Sequence, residues 1–138
     1  MVKFQTMTIK IIFILGFTSI LIVSSQSQAP PMLENHFEWC INVTKVDRTI
    51  ALKARRHDLT FNDHKGNCFL YCICSGVGFC DKDLKLVTKF LEQGTDIDKE
   101  KIRNAGEKCN QISTEDECDT VFERFKCFFD HVPETPVH

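Results

Sequence analysis

Along residues 32–132, apolar side chains recur at steps of three and four rather than two, the spacing of helices buried along one stripe. The last segment is the clearest. Val121, Phe122, Phe125, Phe128, Phe129 and Val132 hold that spacing, while Asp119, Glu123, Arg124, Lys126 and Asp130 fill the gaps. Thr114-Glu115-Asp116-Glu117 just before it has the capping-box form, which satisfies free backbone N–H groups at a helix start. Pro133 ends the helix. Upstream, Thr95-Asp96-Ile97-Asp98 starts a helix in the same way, with Ile102, Ala105, Cys109 and Ile112 on one stripe. Asp81 or Asp83 caps a helix holding Leu84, Val87, Phe90 and Leu91, with Gly94 as its stop. Thr60 to Asp63 precede a helix through Phe69 to Ile73, closed by Gly76 and Gly78. Asp47 caps a short helix with Ile50 and Leu52, and the earliest helix runs from about Met32 to Val46 through Phe37, Trp39, Ile41 and Val43. The pattern predicts an all-α domain of six helices joined by short loops. No β-rich segment, internal repeat or linker interrupts it, since Pro30, Pro31, Pro133 and Pro136 all lie near its ends.

The start of the chain follows a different pattern. Lys3 and Lys10 precede an almost wholly apolar run from Ile11 to Val23, and Ser24, Ser25, Gln26, Ser27, Gln28 and Ala29 follow it. That order is a secretory signal, with cleavage expected after Ser25 or Ser27, so that residues 1–27 are removed and 28–138 form the mature domain. The apolar run has 13 residues, short of the roughly 20 that cross a bilayer core. The expected location is extracellular fluid, without stable membrane insertion. Removing two lysines and no acids takes the formal charge from -2 to -4. A mildly acidic chain lacks the basic face that nucleic acid requires. Asn42-Val43-Thr44 is the one N-x-[ST] sequence, which makes Asn42 a candidate glycan acceptor.

Composition changes the picture at one point. The mature part holds all eight cysteines, at 40, 68, 72, 74, 80, 109, 118 and 127. Export favours disulfides over thiols, and it disfavours zinc held by Cys68, Cys72, Cys74 and Cys80. Cys68 and Cys72 lie one turn apart on one helix face and point alongside each other, so each bonds a different element. Cys118 and Cys127 are nine apart, which is about 180° around a helix. The last helix is therefore tied on two opposite sides. Eight cysteines allow 105 pairings, and spacing selects none of them.

With Cys74 and Cys80 set aside, the gaps between Cys40, Cys68, Cys72, Cys109, Cys118 and Cys127 are 27, 3, 36, 8 and 8 residues. This resembles the six-cysteine pattern of the insect odorant-binding proteins, with three residues between the second and third cysteines and eight between the last two. The resemblance covers most of the mature chain. It implies the interlocked pairing Cys40–Cys72, Cys68–Cys118 and Cys109–Cys127, in a bundle stapled around an apolar cavity. Cys74 and Cys80 depart from the pattern. Gly76 and Gly78 between them let the chain turn back, and a fourth, local Cys74–Cys80 bridge is expected.

The resemblance further implies a carrier that takes a small hydrophobic ligand into that cavity, with a chemosensory receptor as a further partner and a monomer or weak homodimer as its state. No cofactor, metal or catalytic role is expected. The candidate lining residues are Phe122, Phe125 and Phe129 of the last helix, Leu84, Val87 and Leu91 of the fourth, then Phe69, Ile73 and Trp39, with Tyr71 supplying a hydroxyl. A phenylalanine stripe at helical spacing serves core packing equally well. The tail from Val132 to His138 is placed to lie over an opening, with His131 and His138 making that cover pH-sensitive. Two rival classes compete with this reading. His57-Asp58 matches the His-Asp pair of small secreted phospholipases, but the adjacent cysteine and the Gly-rich calcium loop of that family are missing. Ser75 lies in Cys-Ser-Gly-Val-Gly, without the Gly-x-Ser-x-Gly elbow of hydrolases. The other rival is a secreted helical interaction or venom-type protein on the same scaffold, with a filled core and no transport role.

Overall fold

Aspartate sets most of the helix starts. In a computed structural model, which describes residues 31–93 and 96–133, six helices follow in order: α1 (Pro31–Thr44), α2 (Arg48–Arg55), α3 (His64–Val77), α4 (Lys89–Gln93), α5 (Lys99–Cys109) and α6 (Glu117–His131). The side chains of Asp47, Asp63, Asp98 and Asp116 accept the backbone N–H of Thr49, Gly66, Glu100 and Asp119, opening α2, α3, α5 and α6. Each bond satisfies one of the donors that a helix start leaves free. Gly78, at φ +81°, closes α3 in the left-handed conformation that glycine adopts without strain. Residues 1–30, which include the expected signal segment 1–27, together with Gly94, Thr95 and residues 134–138, lie outside the described residues.

One expected start and one expected end move. Thr114 is not the cap of α6: its hydroxyl donates to the Asp116 carbonyl at 2.7 Å and lies 2.9 Å from Thr120 Oγ1, while Asp116 caps the helix. Ile112 falls beyond the end of α5, in the connection to α6.

A larger correction concerns residues 79–88. No helix runs through Leu84 and Val87. Cys80 pairs with Leu86 in an isolated antiparallel bridge. Val87 N–H donates to the Phe79 carbonyl at 2.8 Å and Asp81 N–H to the Lys85 carbonyl at 2.9 Å. Asp81 does cap, but it caps a turn: its Oδ1 accepts the N–H of Asp83 and of Lys85, both at 2.9 Å. Leu84 sits at φ +61°, in the left-handed region. Helix resumes only in α4, over five residues. The cause is non-local. Asn110 grips Leu86 from both sides, accepting its N–H at 2.8 Å and donating to its carbonyl at 3.3 Å. Arg124 takes the Asp83 and Leu84 carbonyls. These bonds satisfy backbone groups that a helix would have paired internally.

Four disulfides tie the elements together. Cys40–Cys72 joins α1 to α3, Cys68–Cys118 joins α3 to α6, and Cys109–Cys127 joins α5 to α6. Cys74–Cys80 closes the last turn of α3 onto the following loop. Each bridge contributes about 2–4 kcal/mol by restricting the unfolded chain. α6 lies at the centre of the arrangement, packed most extensively on α3 and next on α5. Phe69, Ile102, Val121, Phe128 and Val132 are fully buried around it, together with Cys40, Cys74 and Cys109.

Candidate functional site

The apolar face of α6 carries the candidate site. Phe122 is buried, and Phe125 and Phe129 are half-buried one turn apart, with ring centroids 5.9 Å from each other. Phe128 meets Phe129 edge-on at 5.7 Å and anchors the other side of the helix in the core. Two residues from outside α6 complete the wall. Phe61, in the segment leading into α3, lies 5.4 Å from Phe122. His57, just beyond α2, lays its ring flat on Phe129 at 4.1 Å. His57 reaches that position because the chain leaves α2 through a left-handed residue, at φ +60°, with its N–H on the Ala54 carbonyl. The next residue, Asp58, accepts both the N–H and the hydroxyl of Thr60. Those bonds hold its carboxyl below the ordinary carboxylate range.

The other expected lining residues divide four ways. Ile73, Tyr71, Leu84 and Leu91 are half-buried and packed against the core. Phe69 is core proper, edge-on to Phe37 at 5.3 Å. Val87 is half-buried, with its backbone held in the turn after α3. Trp39 is a correction, being 55% exposed on the outer face of α1 and stacked on His36 at 5.4 Å. Met32 and Val43 share its helical spacing and its exposure, so the outward stripe of α1 is apolar and the sequence pattern could not tell it from an inward one.

A cavity of about 400 Å³ opens along α5, lined by Asp98, Glu100, Lys101, Asn104, Ala105, Lys108 and His131. Its lining is charged, so it does not correspond to the apolar pocket expected. His131 is exposed beside it, its Nδ1 2.8 Å from the carbonyl of Cys127. Val132 is fully buried, so the tail starts by docking into the core; the rest of the expected cover, with His138, lies outside the described residues. Asn42 is exposed on α1, while the Thr44 hydroxyl of its sequon donates to the Cys40 carbonyl at 2.7 Å. No cysteine among the described residues is free to hold a metal.

Arg124 is the side chain that the pattern misplaced most. It reads as one of the charges between apolar positions, yet it is 6% exposed. Its Nε donates to the Ile112 carbonyl at 2.8 Å, and one terminal nitrogen donates to the carbonyls of Leu84 and Asp83 at 2.6 and 3.2 Å. Burial pulls its pKa below the ordinary guanidinium value. Arg124 thus binds the turn that carries Leu84 to the helix that carries Phe122 and Phe125. Phe61 and His57 were also missed as wall residues, because they stand between helices, where periodicity assigns no face.

The family model described as the PBP/GOBP family matches residues 24–131. Among curated proteins, the chain is 29% identical to general odorant-binding protein 56a of Drosophila melanogaster over 106 residues, covering 75% of this chain and 76% of that one. Among solved structures it is similar to the fatty acid binding protein OBP56a from the oral disk of the blowfly Phormia regina. That likeness has a TM-score of 0.61 and 24% identity, covering 79% of this chain and 99% of the other.

Proposed function

The chain belongs to the PBP/GOBP family, and from that premise we propose that it is a secreted carrier that reversibly holds a small hydrophobic molecule, of odorant, pheromone or fatty-acid type, and moves it through aqueous fluid. The observation that supports this reading in the chain itself is the aromatic wall of Phe122, Phe125 and Phe129, extended by Phe61 and the ring of His57. Carrier pockets are mostly apolar, with a few polar groups that orient the guest. Here the rings offer the apolar area, and the His57 imidazole and the Tyr71 hydroxyl are the polar groups. Burying about ten CH₂ groups contributes on the order of 8 kcal/mol gross. Association removes several kcal/mol of that, so binding near or weaker than micromolar, about -8 kcal/mol, is expected. Such affinity suits a molecule that must release its cargo. The blowfly protein is a fatty acid binding protein, which puts fatty acids first among the ligands to test.

The test is displacement of a naphthylamine dye, whose emission rises in an apolar pocket, by fatty acids, alcohols and terpenoids. Phe125→Ala and Phe129→Ala should each weaken displacement about tenfold, the scale set by an aromatic side chain's contribution to an apolar site. Phe90→Ala, at a ring 54% exposed elsewhere, should leave it unchanged. A protein that binds neither the dye nor any of the three ligand classes is not a carrier of this kind.

A further inference from the structure

Three of the four disulfides have a histidine one helical turn from a cysteine. His36 Nε2 lies 3.5 Å from Cys40 Sγ, His64 Nε2 3.6 Å from Cys68 Sγ, and His131 Nδ1 3.9 Å from Cys127 Sγ. The three differ in what else the imidazole does. The His36 nitrogen facing the sulfur also meets the Cys72 carbonyl at 3.2 Å, and the His131 nitrogen meets the Cys127 carbonyl at 2.8 Å. His64 uses its two nitrogens separately. Nδ1 lies 3.3 Å from Asp119 Oδ1, which leaves Nε2 directed at the sulfur. Asp119 is itself held by Asn67 Nδ2 at 2.9 Å. The result is a carboxylate–imidazole–sulfur line. The bridges differ in access as well. Cys40, Cys74, Cys80 and Cys109 are buried, so only Cys68–Cys118 has both of its cysteines partly exposed, and His64 beside it is exposed.

We propose that Cys68–Cys118 is a thiol–disulfide exchange site, the bridge that a small uncharged thiol opens first, with His64 as the group that protonates the departing Cys68 sulfur. A thiolate attacks Cys118 Sγ. The bond between the two sulfurs breaks, its electron pair passes to Cys68 Sγ, and that sulfur takes the proton from His64 Nε2. The products are a mixed disulfide at Cys118 and a thiol at Cys68. A second thiolate attacks the outer sulfur of the mixed disulfide, releasing an external disulfide and the Cys118 thiolate, which takes its proton from water. Two thiols are oxidised to one disulfide, and the bridge gains two electrons. Exchange is faster when the leaving sulfur is stabilised, and a cationic neighbour stabilises a thiolate. Asp119 is a positioning residue, since it orients His64 without touching sulfur. The groups facing His64 at the start of α6 are the carboxylates of its cap Asp116 and of Asp119, all within 4.8 Å of one another and of the imidazole; Asp63, the cap of α3, and Lys65 flank it in the chain. Those carboxylates disfavour an anionic thiol, which is why the matching reactant is uncharged. Opening this bridge cuts the covalent tie between α3 and α6, while Cys109–Cys127 keeps α6 on α5. The inference is independent of the carrier reading.

The experiment exposes the full four-bridge protein to 2-mercaptoethanol below its unfolding range, quenches samples with iodoacetamide, and locates the alkylated cysteines by peptide mass spectrometry. Cys68 and Cys118 should be labelled first, about tenfold ahead of the next pair. His64→Gln should slow that pair about five- to tenfold and leave the other three bridges alone, and Asp119→Asn should slow it less. The order of opening in the unaltered protein tests the proposal even if a variant fails to fold. Another bridge opening first, all four opening together, or a His64→Gln protein whose bridges open at unchanged or uniformly altered rates would each overturn it.

Discussion

α6 and the segment from Phe79 to Gln93 carry similar apolar spacing and reach opposite outcomes. α6 holds its period over 15 residues, from an aspartate cap to the proline beyond its end. Its stripe meets α3 on one side and α5 on the other, and a disulfide fixes each contact. In the second segment Leu84, Val87, Phe90 and Leu91 are spaced as if for a helix, yet only Lys89–Gln93 is helical. There Asp81, Asn110 and Arg124 bind the backbone groups, and Cys80 is bonded back to Cys74. Periodicity decides a segment when the helix can satisfy its own backbone and bury one face. It loses when side chains from distant elements offer the same backbone groups better-placed partners.

The contrast is breakable in graded ways. Removing the anchor of α6 should have the largest effect: Phe128→Ala, at a ring 1% exposed, should cost about 4 kcal/mol in denaturant unfolding through the lost burial and the cavity left behind. Arg124→Ala leaves three carbonyls without their donor and should cost about 3 kcal/mol. Its loss should also be local, so amide exchange should rise in residues 80–88 ahead of α6. Equal acceleration in both regions would show that Arg124 supports the whole domain rather than the turn. Replacing Cys74 and Cys80 together by serine should cost about 2 kcal/mol, since the loop they close is short, and should leave the circular-dichroism helix signal of α6 unchanged.

The smallest expected effect is on pH dependence, at the start of α6. Hydrogen bonding from Asn67 is the main cause that holds the Asp119 carboxyl below its ordinary value; desolvation opposes it, and the hydrogen bond and charge of His64 add smaller lowering effects. A carboxyl depressed in the folded state adds stability that is fully present above its unfolded pKa of about 4 and is lost as pH falls through the lower folded value. Asn67→Ala should therefore lower stability slightly at neutral pH, leave it unchanged at the acid end where the carboxyl is protonated in both states, and so flatten the acid side of the profile below about pH 4. An identical acid slope in both proteins would remove the Asn67–Asp119 contact from the account of how α3 grips α6.

Much of the helical content is legible in the sequence. Asp47 reads as a cap and is one, and Gly78 reads as a stop and is one, because these are contests among neighbouring backbone groups. The residues of the site were legible only in part. Phe122, Phe125 and Phe129 could be named from spacing. Phe61 and His57 could not, since what brings them to the wall is the path of a loop. Trp39 reads as a lining residue and is exposed, because which side of α1 faces α3 is settled by the contacts of α1 rather than by its own pattern.

By itself, then, the chain determined several of its helix starts and stops, its stripe of phenylalanines and the number of sulfurs available to tie it, because each depends on residues within about one or two turns of one another. Tertiary structure alone decided that Arg124 goes inside, that Leu84 turns left-handed instead of helical, and that His64 rather than His36 or His131 presents an uncommitted nitrogen to a disulfide. Those outcomes depend on which distant carbonyls and carboxylates lie within hydrogen-bond reach, and reach in space is not written in the spacing of any one segment.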